Sequence, residues 1–383
     1  VKAGLLVFSA SQQFLLKTDE AQLTPETAII SFLSSYAYNE KTRPFTLGTT
    51  AGWLNSTSKR TRFHEMANIR RDGDPQVIEQ SKIISKLFPD DVTMIAESTE
   101  SQMILFASEN KNEVWGYKFY TQGERRIQSA WFRWELPGTV SFHCMMDDTY
   151  YAILKNGSTY SMQAFDIKKA TDTLVVGTPP LDYLIHLDTK TSISSGSLTY
   201  NPATNKTTMT KPTGYDNSGQ LAAFCKTAGD NVGRFTKVTV NGSNLEWDGE
   251  WTGLDIILGY LYEMEVELPT IYIQQASGEI VKSETRGSLI VHRLNFSFGS
   301  VGLIDVTLKR KGRDDYNKSY ESIDWDSYLA NTVSISEEFI HTIPVYDRNI
   351  NLSVHLKSTH PSPATLNSMT WEGDYNPKFY KRV

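Results

Sequence analysis

Histidine, cysteine and paired carboxylates are the residue types in this sequence that could carry out acid–base, nucleophilic or metal chemistry. The seven histidines are His64, His143, His186, His292, His341, His355 and His360. None of them lies in an HExxH pattern, with which a helix binds catalytic zinc. His143 precedes Cys144, but this cysteine lies in the run SFHCMM, where a thiol packs as an inert apolar side chain. We therefore expect structural histidines and no metal site.

Adjacent carboxylates occur at Asp90-Asp91, Asp147-Asp148 and Asp314-Asp315. Neighbouring residues of a β-strand point to opposite faces, so such a pair does not form the facing carboxylates of a glycosidase. Aspartate is instead typical of turns. The sequence also lacks a P-loop, a GxGxxG segment opening a helix and a GxSxG elbow. These observations predict a protein that is not an enzyme and binds no cofactor.

The composition limits the partners of the chain. Its 383 residues include 38 Lys and Arg against 44 Asp and Glu, a formal net charge of −6. Proteins that bind nucleic acid stably carry a basic face, so this balance favours at most transient contact with DNA. The two cysteines cannot form a disulfide framework. No apolar run reaches the roughly 18 residues of a membrane-spanning helix.

One basic cluster stands out in the segment KRKGR. Its charged residues are Lys309, Arg310, Lys311 and Arg313. Asp314-Asp315 follows directly, so the simplest interpretation is a loop whose own acids balance its charge. Contact with an acidic face of a neighbouring subunit, or with a phosphate backbone, is the alternative. These four residues are candidate interface residues.

The spacing of apolar residues predicts a mainly β fold with very little helix. Short runs of β-branched and aromatic residues are broken by Gly, Asn, Asp, Ser and Pro, as in all-β proteins. The best helical pattern is DPQVIEQSKIISKLF, residues 74–88, which favours one or two turns of helix.

Four segments of the first half repeat one pattern, in which a polar turn joins an apolar strand to a strand with an aromatic residue. They are 4–17, 50–65, 101–119 and 149–165. Their starts lie about 50 residues apart, a period typical of β-propeller blades. One blade cannot cover its own apolar faces, so blades stack around an axis. We predict propeller blades in residues 1–180.

The segment EVWGYKFYTQGERRIQSAWFRWELP, residues 113–137, carries many aromatic rings among charges. Strand alternation places its rings on both faces of two paired strands. The candidate interface residues among them are Trp115, Trp131 and Trp134. We expect the rings to pack between neighbouring blades, with Arg126 and Arg133 over ring faces. A stacking platform for sugars or bases is the alternative.

The residue composition of the sequence changes near Pro179-Pro180. Residues 181–285 predict a β domain, in which the Thr-, Asn- and Gly-rich stretch 195–250 indicates a loop-rich tip insertion. Residues 286–383 predict a C-terminal β-sandwich or barrel-like domain. Within it, LIVHRLNFSFGSVGLIDVTLKR, residues 289–310, predicts a β-hairpin.

Several stretches resemble, in their joint order, the tail-tube nozzle proteins of short-tailed bacteriophages, or podoviruses, a family also called tail tubular protein B. The most specific stretch is GERRIQSAWFRWELPG, within residues 89–140. LGYLYEMEVELP (258–269), the 289–310 segment and MTWEGDYNPKF near the C terminus follow in the same order. The similarity covers most of this chain and corresponds to about the C-terminal half of the longer family members.

The resemblance implies a structural protein of the phage virion. Nozzle proteins form a homohexameric ring below the portal and adaptor, close the distal end of the tail, support the tail fibres and conduct the genome on injection. The implied partners are identical subunits, an adaptor ring protein, a tail fibre protein and, transiently, double-stranded DNA, with assembly in the host cytoplasm. Four hairpins do not close a propeller, so the resemblance also implies that another segment or a separate chain supplies further blades.

Acidic residues in the Thr-, Asn- and Gly-rich stretch 195–250 suit a channel that conducts DNA. DNA carries one negative charge per ~1.7 Å of its axis, so an acidic wall repels it. The candidate channel residues are Asp216, Asp230, Glu246, Asp248 and Glu250. Solvated loop charges with no contact to DNA are the simpler alternative. Two other functions stay open at this point, a propeller-type glycosidase or depolymerase and a sugar-binding propeller.

Overall fold

The structure, a computed structural model, describes most of the chain. The described residues are 4–18, 22–57, 59–67, 75–122, 125–167, 184–227, 229, 231–277, 280–285, 287–321 and 338–377. Apart from β-strands, they contain three short 3-10 helices, at Gln80–Ile84, Ser195–Ser197 and Asn349–Asn351. The mainly β fold class with very little helix is confirmed. The chain divides into two compact units, Val1–Lys169 and Ala170–Val383.

The described strands of the first unit form four antiparallel sheets in chain order. They are β1 Leu5–Phe8, β2 Gln13–Lys17, β3 Ile29–Ser34, β4 Phe45–Leu47, β5 Thr50–Thr57, β6 Arg60–Ala67, β7 Gln76–Glu79, β8 Met94–Ser98, β9 Met103–Ala107, β10 Glu113–Gln122, β11 Arg125–Glu135, β12 Thr139–Met146, β13 Thr149–Asn156 and β14 Thr159–Asp166. Sheet 1 contains β1 to β3, sheet 2 β4 to β7, sheet 3 β8 to β11 and sheet 4 β12 to β14. Within each sheet every strand pairs with its neighbour along the chain, the order of a propeller blade.

All four predicted hairpins are present in these sheets. β1 pairs with β2, β5 with β6, β9 with β10, and β13 with β14. The polar turns between apolar strands mark the points where the chain reverses, because turn residues interrupt strand alternation. The prediction of propeller blades in this part of the chain is confirmed.

Neighbouring sheets of the first unit pack face to face. Phe63 of β6 and Phe106 of β9 lie 5.5 Å apart between ring centroids, where sheets 2 and 3 meet. Val114 of β10 belongs to a separate buried cluster shared by sheets 3 and 4. Sheet 1 contacts sheet 2 through Phe8 and Trp53, whose ring centroids are 5.6 Å apart. Stacking is required because these sheets carry apolar side chains on both faces.

Of the one or two turns of helix predicted within residues 74–88, the structure forms the short 3-10 helix Gln80–Ile84. Residue 74 lies outside the described residues, Gln76–Glu79 is strand β7, and Gln80–Ile84 is a 3-10 turn. β7 pairs with β6 at the edge of sheet 2. In so short a segment, pairing with a sheet edge overrides an apolar spacing that also fits a helix.

The described strands of the second unit form four further sheets. They are β15 Asp188–Ile193, β16 Thr199–Asn201, β17 Lys206–Thr210, β18 Leu221–Cys225, β19 Phe235–Asn241, β20 Asn244–Asp248, β21 Ile256–Tyr260, β22 Met264–Leu268, β23 Gln274–Ser277, β24 Ile280–Ser283, β25 Ser288–Val301, β26 Leu303–Arg310, β27 Tyr316–Glu321, β28 Phe339–Arg348, β29 Leu352–Ser358 and β30 Ala364–Asn376. β23 and β24 form a two-stranded sheet.

A seven-stranded sheet occupies the first part of this unit. Its strand order is β15-β21-β18-β19-β20-β17-β16. It buries its own cluster, which includes Leu221, Leu245 and Trp251. The stretch 195–250, predicted as a loop-rich tip, supplies β16 to β20 of this sheet. The Thr and Asn residues of this stretch suggested loops, but many of them lie in strands. The domain limits at residues 181 and 285 stay predictions.

The C-terminal part is a β-sandwich. One sheet has the order β22-β29-β26-β27 and the other β28-β25-β30. Both sheets contribute to one buried cluster, with Val291 and Phe296 from β25 facing Val306 and Val354 from the other sheet. β22 pairs with β29 although it precedes residue 286, where we predicted that this domain begins. The predicted order of blades followed by a sandwich is confirmed.

The hairpin predicted over 289–310 is wrong. β25 pairs with β28 and β30, whereas β26 pairs with β27 and β29 in the opposite sheet. The chain therefore crosses the sandwich at Gly302, which separates the two strands. A hairpin and a crossing both leave alternate residues buried, so the sequence pattern does not distinguish them.

Two buried imidazoles lie between the sheets of the first unit. His64 of β6 stacks on Trp53 with ring centroids 5.6 Å apart. His143 of β12 has Nδ1 3.2 Å from the Tyr150 hydroxyl. Burial, with the nearby charge of Arg62, lowers the pKa of His64 to about 4. Burial also lowers the pKa of His143 to about 4, so both histidines are packed as neutral side chains.

We expect the free energy of unfolding of the first unit to fall as the pH drops. Unfolded histidine has a pKa near 6.5 and the two folded imidazoles near 4, so the unfolded chain binds more protons between these values. The loss is about 1.4 kcal/mol per pH unit for each histidine. Urea denaturation at about pH 7 and about pH 5 measures it.

Variants separate this effect from the titration of carboxylates. His64→Gln combined with His143→Gln should remove most of the histidine-dependent slope. His292→Gln is the control, since its partly exposed imidazole lies 3.3 Å from the Asp374 carboxylate in the second unit. The same pH slope in the double variant and the wild type would contradict the prediction.

Candidate functional site

Strands β10 and β11 form the aromatic hairpin predicted over 113–137. Trp115 lies opposite Arg133, and Tyr117 lies opposite Trp131. The ring centroids of Tyr117 and Trp131 are 4.8 Å apart. Facing rings of this kind stabilise a strand pair.

The two faces of this hairpin meet different sheets. Trp115, Tyr117 and Trp131 pack in the cluster shared with sheet 2, and Trp115 is 6% exposed. Trp134 lies on the other face, with its ring centroid 5.6 Å from that of Tyr150 in sheet 4. These rings are packed between sheets and do not form a bare platform for a sugar or base. A role for the three tryptophans in contacts between subunits stays a prediction.

Gly116 allows the closest contact within the hairpin. It lies opposite Phe132, and a Cβ at this position would meet the phenyl ring at 2.0 Å. The ring of Phe132 covers the glycine backbone in place of a side chain. Glycine therefore lets the face toward sheet 4 stay apolar and tightly packed.

A buried ion pair joins sheets 2 and 3 beside the aromatic rings. Glu65 of β6 is 4% exposed and binds both terminal nitrogens of Arg126 in β11, with Nη2 2.7 Å from Oε1. The same carboxylate accepts hydrogen bonds from the Thr50 hydroxyl at 2.5 Å and the Gln80 amide at 2.6 Å. Such a set of donors offsets the desolvation penalty of placing a carboxylate between two sheets.

Arg126 is held by rings as well as by charge. Its guanidinium carbon lies 4.8 Å from the ring centroid of Phe119 and 5.9 Å from that of Tyr117. Its Nη1 also lies 3.3 Å from the Tyr117 hydroxyl. Burial opposes the charged form, but the hydrogen bonds and charge of Glu65 raise the pKa of Arg126 overall. The guanidinium thus stays charged between two sheets.

Sequence reasoning found the arginines of this region but missed Glu65. Arg133 lies 5.9 Å from the Trp115 ring, so the predicted placement of an arginine over a ring is observed there as well. The sequence signal that could have indicated a buried ion pair is the position of Glu65 between the apolar residues Phe63 and Met66. The side chains of Phe63, Glu65 and Met66 are all buried in the structure. A charge in a strand buried on both faces requires a partner.

Two candidate channel acids lie on the solvent face of β20. Glu246 and Asp248 alternate along the strand with the buried Leu245 and Trp247. Glu246 forms an ion pair with Lys206 at 3.1 Å, and hydrogen bonding to Lys206 lowers the pKa of Glu246. Asp248 lies opposite Lys206 in the strand register. Strand alternation therefore places both side chains on the face away from Leu245 and Trp247, where Glu246 is half-buried and paired with Lys206 and Asp248 is exposed.

The other candidate acids lie beyond the strand ends. The carboxylate of Asp216 accepts hydrogen bonds from the Ser218 N–H at 2.8 Å and from the Tyr260 hydroxyl at 3.1 Å. Hydrogen bonding to Ser218 lowers the pKa of Asp216. Glu250 is exposed, and Asp230 lies outside the described residues. A role for these acids at a channel outlet stays a prediction.

The basic cluster begins at the end of β26. Lys309 and Arg310 are the last residues of this strand, and Lys311 and Arg313 are exposed in the following turn. Partial burial opposes ionisation of Asp347 in β28, but hydrogen bonds and then the charges of Arg313 and Arg310 lower its pKa overall. An acid distant in the sequence thus faces this cluster. Contact of the cluster with another subunit stays a prediction.

The remaining candidates for chemistry are dispersed. Among the described residues, no group of three or more His, Cys, Asp or Glu side chains could hold a metal ion. Cys144 is half-buried and Cys225 buried, and both are free thiols. Burial raises the pKa of Cys225, which keeps this thiol protonated. In the same described ranges, no helix has the length and apolar character needed to span a bilayer.

Comparison with known families gives one match along the chain. The model of the family described as bacteriophage nozzle protein matches residues 1–382. The chain belongs to the bacteriophage nozzle protein family. The resemblance based on motif order is confirmed, and with it a structural role in a phage tail and assembly into a tail oligomer. Among curated proteins, none matches.

Two solved structures match this nozzle-family chain at low similarity. The exo-beta-1,3-galactanase of Phanerochaete chrysosporium with galactose has 9% sequence identity and a TM-score of 0.21, covering 94% of this chain and 100% of that chain. A variant of that enzyme with beta-1,3-galactotriose has 10% identity and a TM-score of 0.18, covering 97% and 95%. Scores this low establish neither a shared fold nor a shared activity.

Replacing Glu65 by glutamine should destabilise the first unit of this nozzle-family protein by about 3 kcal/mol. The substitution keeps the size of the side chain but leaves the Arg126 guanidinium, whose side chain is only 21% exposed, without a counter-charge. Denaturant unfolding followed by tryptophan fluorescence measures the loss.

Glu113→Gln is the matched control for this change. Glu113 forms an exposed ion pair with Arg133 at 3.4 Å, and exposed pairs contribute at most about 1 kcal/mol. Replacing both Glu65 and Arg126 by methionine should recover most of the stability lost in Glu65→Gln. Equal losses in Glu65→Gln and Glu113→Gln would show that the buried pair has no special importance.

Proposed function

We propose that this protein is the nozzle subunit of a short-tailed bacteriophage, which closes the DNA channel at the distal end of the tail and conducts the genome during ejection. The observation that carries the proposal is the family match over residues 1–382. Stacked sheets with close-packed interfaces suit this role, because a tube that holds back a pressurised genome needs subunits of low compressibility.

The charge of the chain supports a conduit for DNA. A basic wall would bind the phosphates and slow the passage of the genome, whereas a neutral or acidic wall lets it slide. The formal net charge is −6, and Asp248 and Glu250 expose their carboxylates. We propose that Asp216, Asp248 and Glu250 line the outlet together with Glu246.

The partners follow from the same role. The subunit forms a homohexameric ring, contacts an adaptor ring on its upper side and supports the tail fibres, and it assembles in the host cytoplasm. The basic residues Lys309, Arg310, Lys311 and Arg313 supply contacts to a neighbouring subunit. The role is mechanical and needs neither a cofactor nor a catalytic step.

Labelling of the protein in phage particles tests the proposed position. A gold-labelled tag on this chain should appear at the distal end of the tail in electron micrographs of intact particles, because the nozzle closes the channel there. Particles with the untagged protein are the control. A label on the capsid, or particles that lack this chain altogether, would overturn the proposal.

Charge reversal at the outlet should slow ejection of DNA. Asp248→Lys combined with Glu250→Lys should reduce the ejection rate several-fold at low salt and less at high salt, because lysines bind passing phosphates and salt screens the contact. Fluorescence of a DNA dye outside triggered particles measures the rate. The control is Glu100→Lys with Glu109→Lys in exposed turns of the first unit. An unchanged rate in the first pair at low salt would contradict the outlet assignment.

A further inference from the structure

A break in the strand pairing sets one tyrosine apart in the C-terminal sandwich. Val291 of β25 pairs with Asp347 of β28, but Arg293, two positions later, pairs with Pro344, three positions earlier. The extra residue of β28 makes a β-bulge beside Tyr346. Bulges re-aim side chains and are frequent next to binding sites, so the residues at this bulge are candidates for a function beyond folding.

The backbone of Tyr346 has a conformation that tyrosine disfavours. Its φ is +47°, in the left-handed region, where the Cβ of an ordinary side chain is crowded. Of the six non-glycine residues with positive φ in the described ranges, Tyr346 is the one with an aromatic ring. Such a residue costs folding free energy, and residues of this kind cluster at ligand and active sites.

Burial of the ring does not offset this cost. Tyr346 is 63% exposed, whereas its neighbour Val345 points into the sandwich and is buried. One face of the tyrosine ring lies on the imidazole of His292, with ring centroids 5.6 Å apart and 23° between the ring planes. The ring therefore contributes little to the core and is presented to solvent.

Two polar side chains continue from the ring across the sheet. The strand order β28-β25-β30 places His292 of β25 between Tyr346 and Asp374 of β30. Nε2 of His292 lies 3.3 Å from Oδ2 of Asp374, whose side chain is 81% exposed. An aromatic ring, an imidazole and a carboxylate thus lie side by side on the surface. We call these three residues the Tyr346 row.

The charges around this row are balanced. Arg348 and Asp374 both lie opposite Ile290 in the strand register, one on each side of β25. Next along the sheet, Arg293 forms an ion pair with Glu372 at 2.9 Å. A surface that binds a polyphosphate carries an excess of cations. The balance here favours an uncharged ligand.

The chemistry of the row suits a sugar. The C–H groups of a pyranose ring pack on an open aromatic face, and its hydroxyls donate hydrogen bonds to a carboxylate and accept them from a guanidinium. The exposed ring of Tyr346 supplies the first kind of contact. The carboxylate of Asp374 and the guanidinium of Arg348 supply the second kind.

We propose that the Tyr346 row binds a neutral hexopyranose unit of a glycan. The sugar ring stacks on Tyr346, and its hydroxyls bond to Asp374. Binding of one sugar unit at such an open site is weak, but a glycan with repeated units engages several copies of the site in the tail oligomer, so that single contacts add up. The proposal does not depend on the proposed position at the distal end of the tail.

Saturation-transfer NMR of the full chain with D-galactose, D-glucose and N-acetyl-D-glucosamine tests binding. At least one of these sugars should receive saturation, most strongly at the ring C–H protons that face the tyrosine. Tyr346→Gly should weaken binding of that sugar roughly tenfold, in the range that loss of a stacking ring costs a bound base. Tyr346→Phe keeps the ring and should bind nearly as the wild type does, whereas Asp374→Asn should bind more weakly.

The glycine variant separates binding from folding. Glycine adopts a positive φ without the penalty, so Tyr346→Gly should unfold at a higher urea concentration than the wild type. The matched control is Tyr160→Gly, because Tyr160 is 59% exposed but lies in the regular pairing of β13 and β14. This control should unfold at a lower urea concentration, since glycine weakens a strand, and should bind the sugar as the wild type does.

Four results would overturn the proposal. The first is a wild-type chain that binds none of the three sugars, and the second is a Tyr346→Gly variant with wild-type sugar binding. The third is a Tyr346→Gly variant that unfolds at a lower urea concentration than the wild type, which would show that the ring stabilises the fold. The fourth is tighter binding of a short oligothymidylate, lost in Tyr346→Gly, which would assign the row to nucleic acid.

Discussion

The structure depends on one constraint, which is that a sheet of three or four strands with apolar side chains on both faces cannot bury itself. Sheet 3 shows how the constraint is met, because Trp115 and Tyr117 are buried against sheet 2 while Val114 is buried against sheet 4. Flat rings cover large areas at a low cost in side-chain entropy, which explains their number in a polar stretch. Packing between sheets therefore explains most of the aromatic residues of 113–137, although Tyr120 is 53% exposed.

Apolar area alone does not fix how two sheets are placed against each other, whereas the ion pair of Glu65 and Arg126 does. The pair reaches from β6 to β11 and draws in the Gln80 amide of the 3-10 turn, 2.6 Å from the carboxylate. A sliding movement between the sheets would break several short hydrogen bonds at once and separate the buried carboxylate of Glu65 from the half-buried guanidinium of Arg126. Buried pairs add little net stability over apolar side chains, but they can favour one arrangement over its neighbours.

Much of the fold could be predicted from the sequence, because strand alternation and turn residues are local signals. They gave the four hairpins of the first unit and the opposite faces of Trp131 and Trp134. Local signals do not state which strand pairs with which, and so β25 and β26 were predicted as a hairpin although they lie in opposite sheets. The partner of Glu65 was hidden for the same reason, since 61 residues separate it from Arg126.

The same limit applies to the acidic residues, where a sequence shows charges but not the cations beside them. Glu246 lies 40 residues from Lys206 in the chain and 3.1 Å from it in the structure, so its charge is largely balanced at short range. The field that DNA would meet over this sheet is set by the carboxylates left without such a partner, because paired charges cancel beyond about one Debye length. A surface that repels a passing duplex therefore depends less on the number of acids in a stretch than on where the lysines of neighbouring strands place their ammonium groups. On β20 the two acids differ in this respect, because Glu246 forms an ion pair with Lys206 whereas Asp248 on the same face is more exposed.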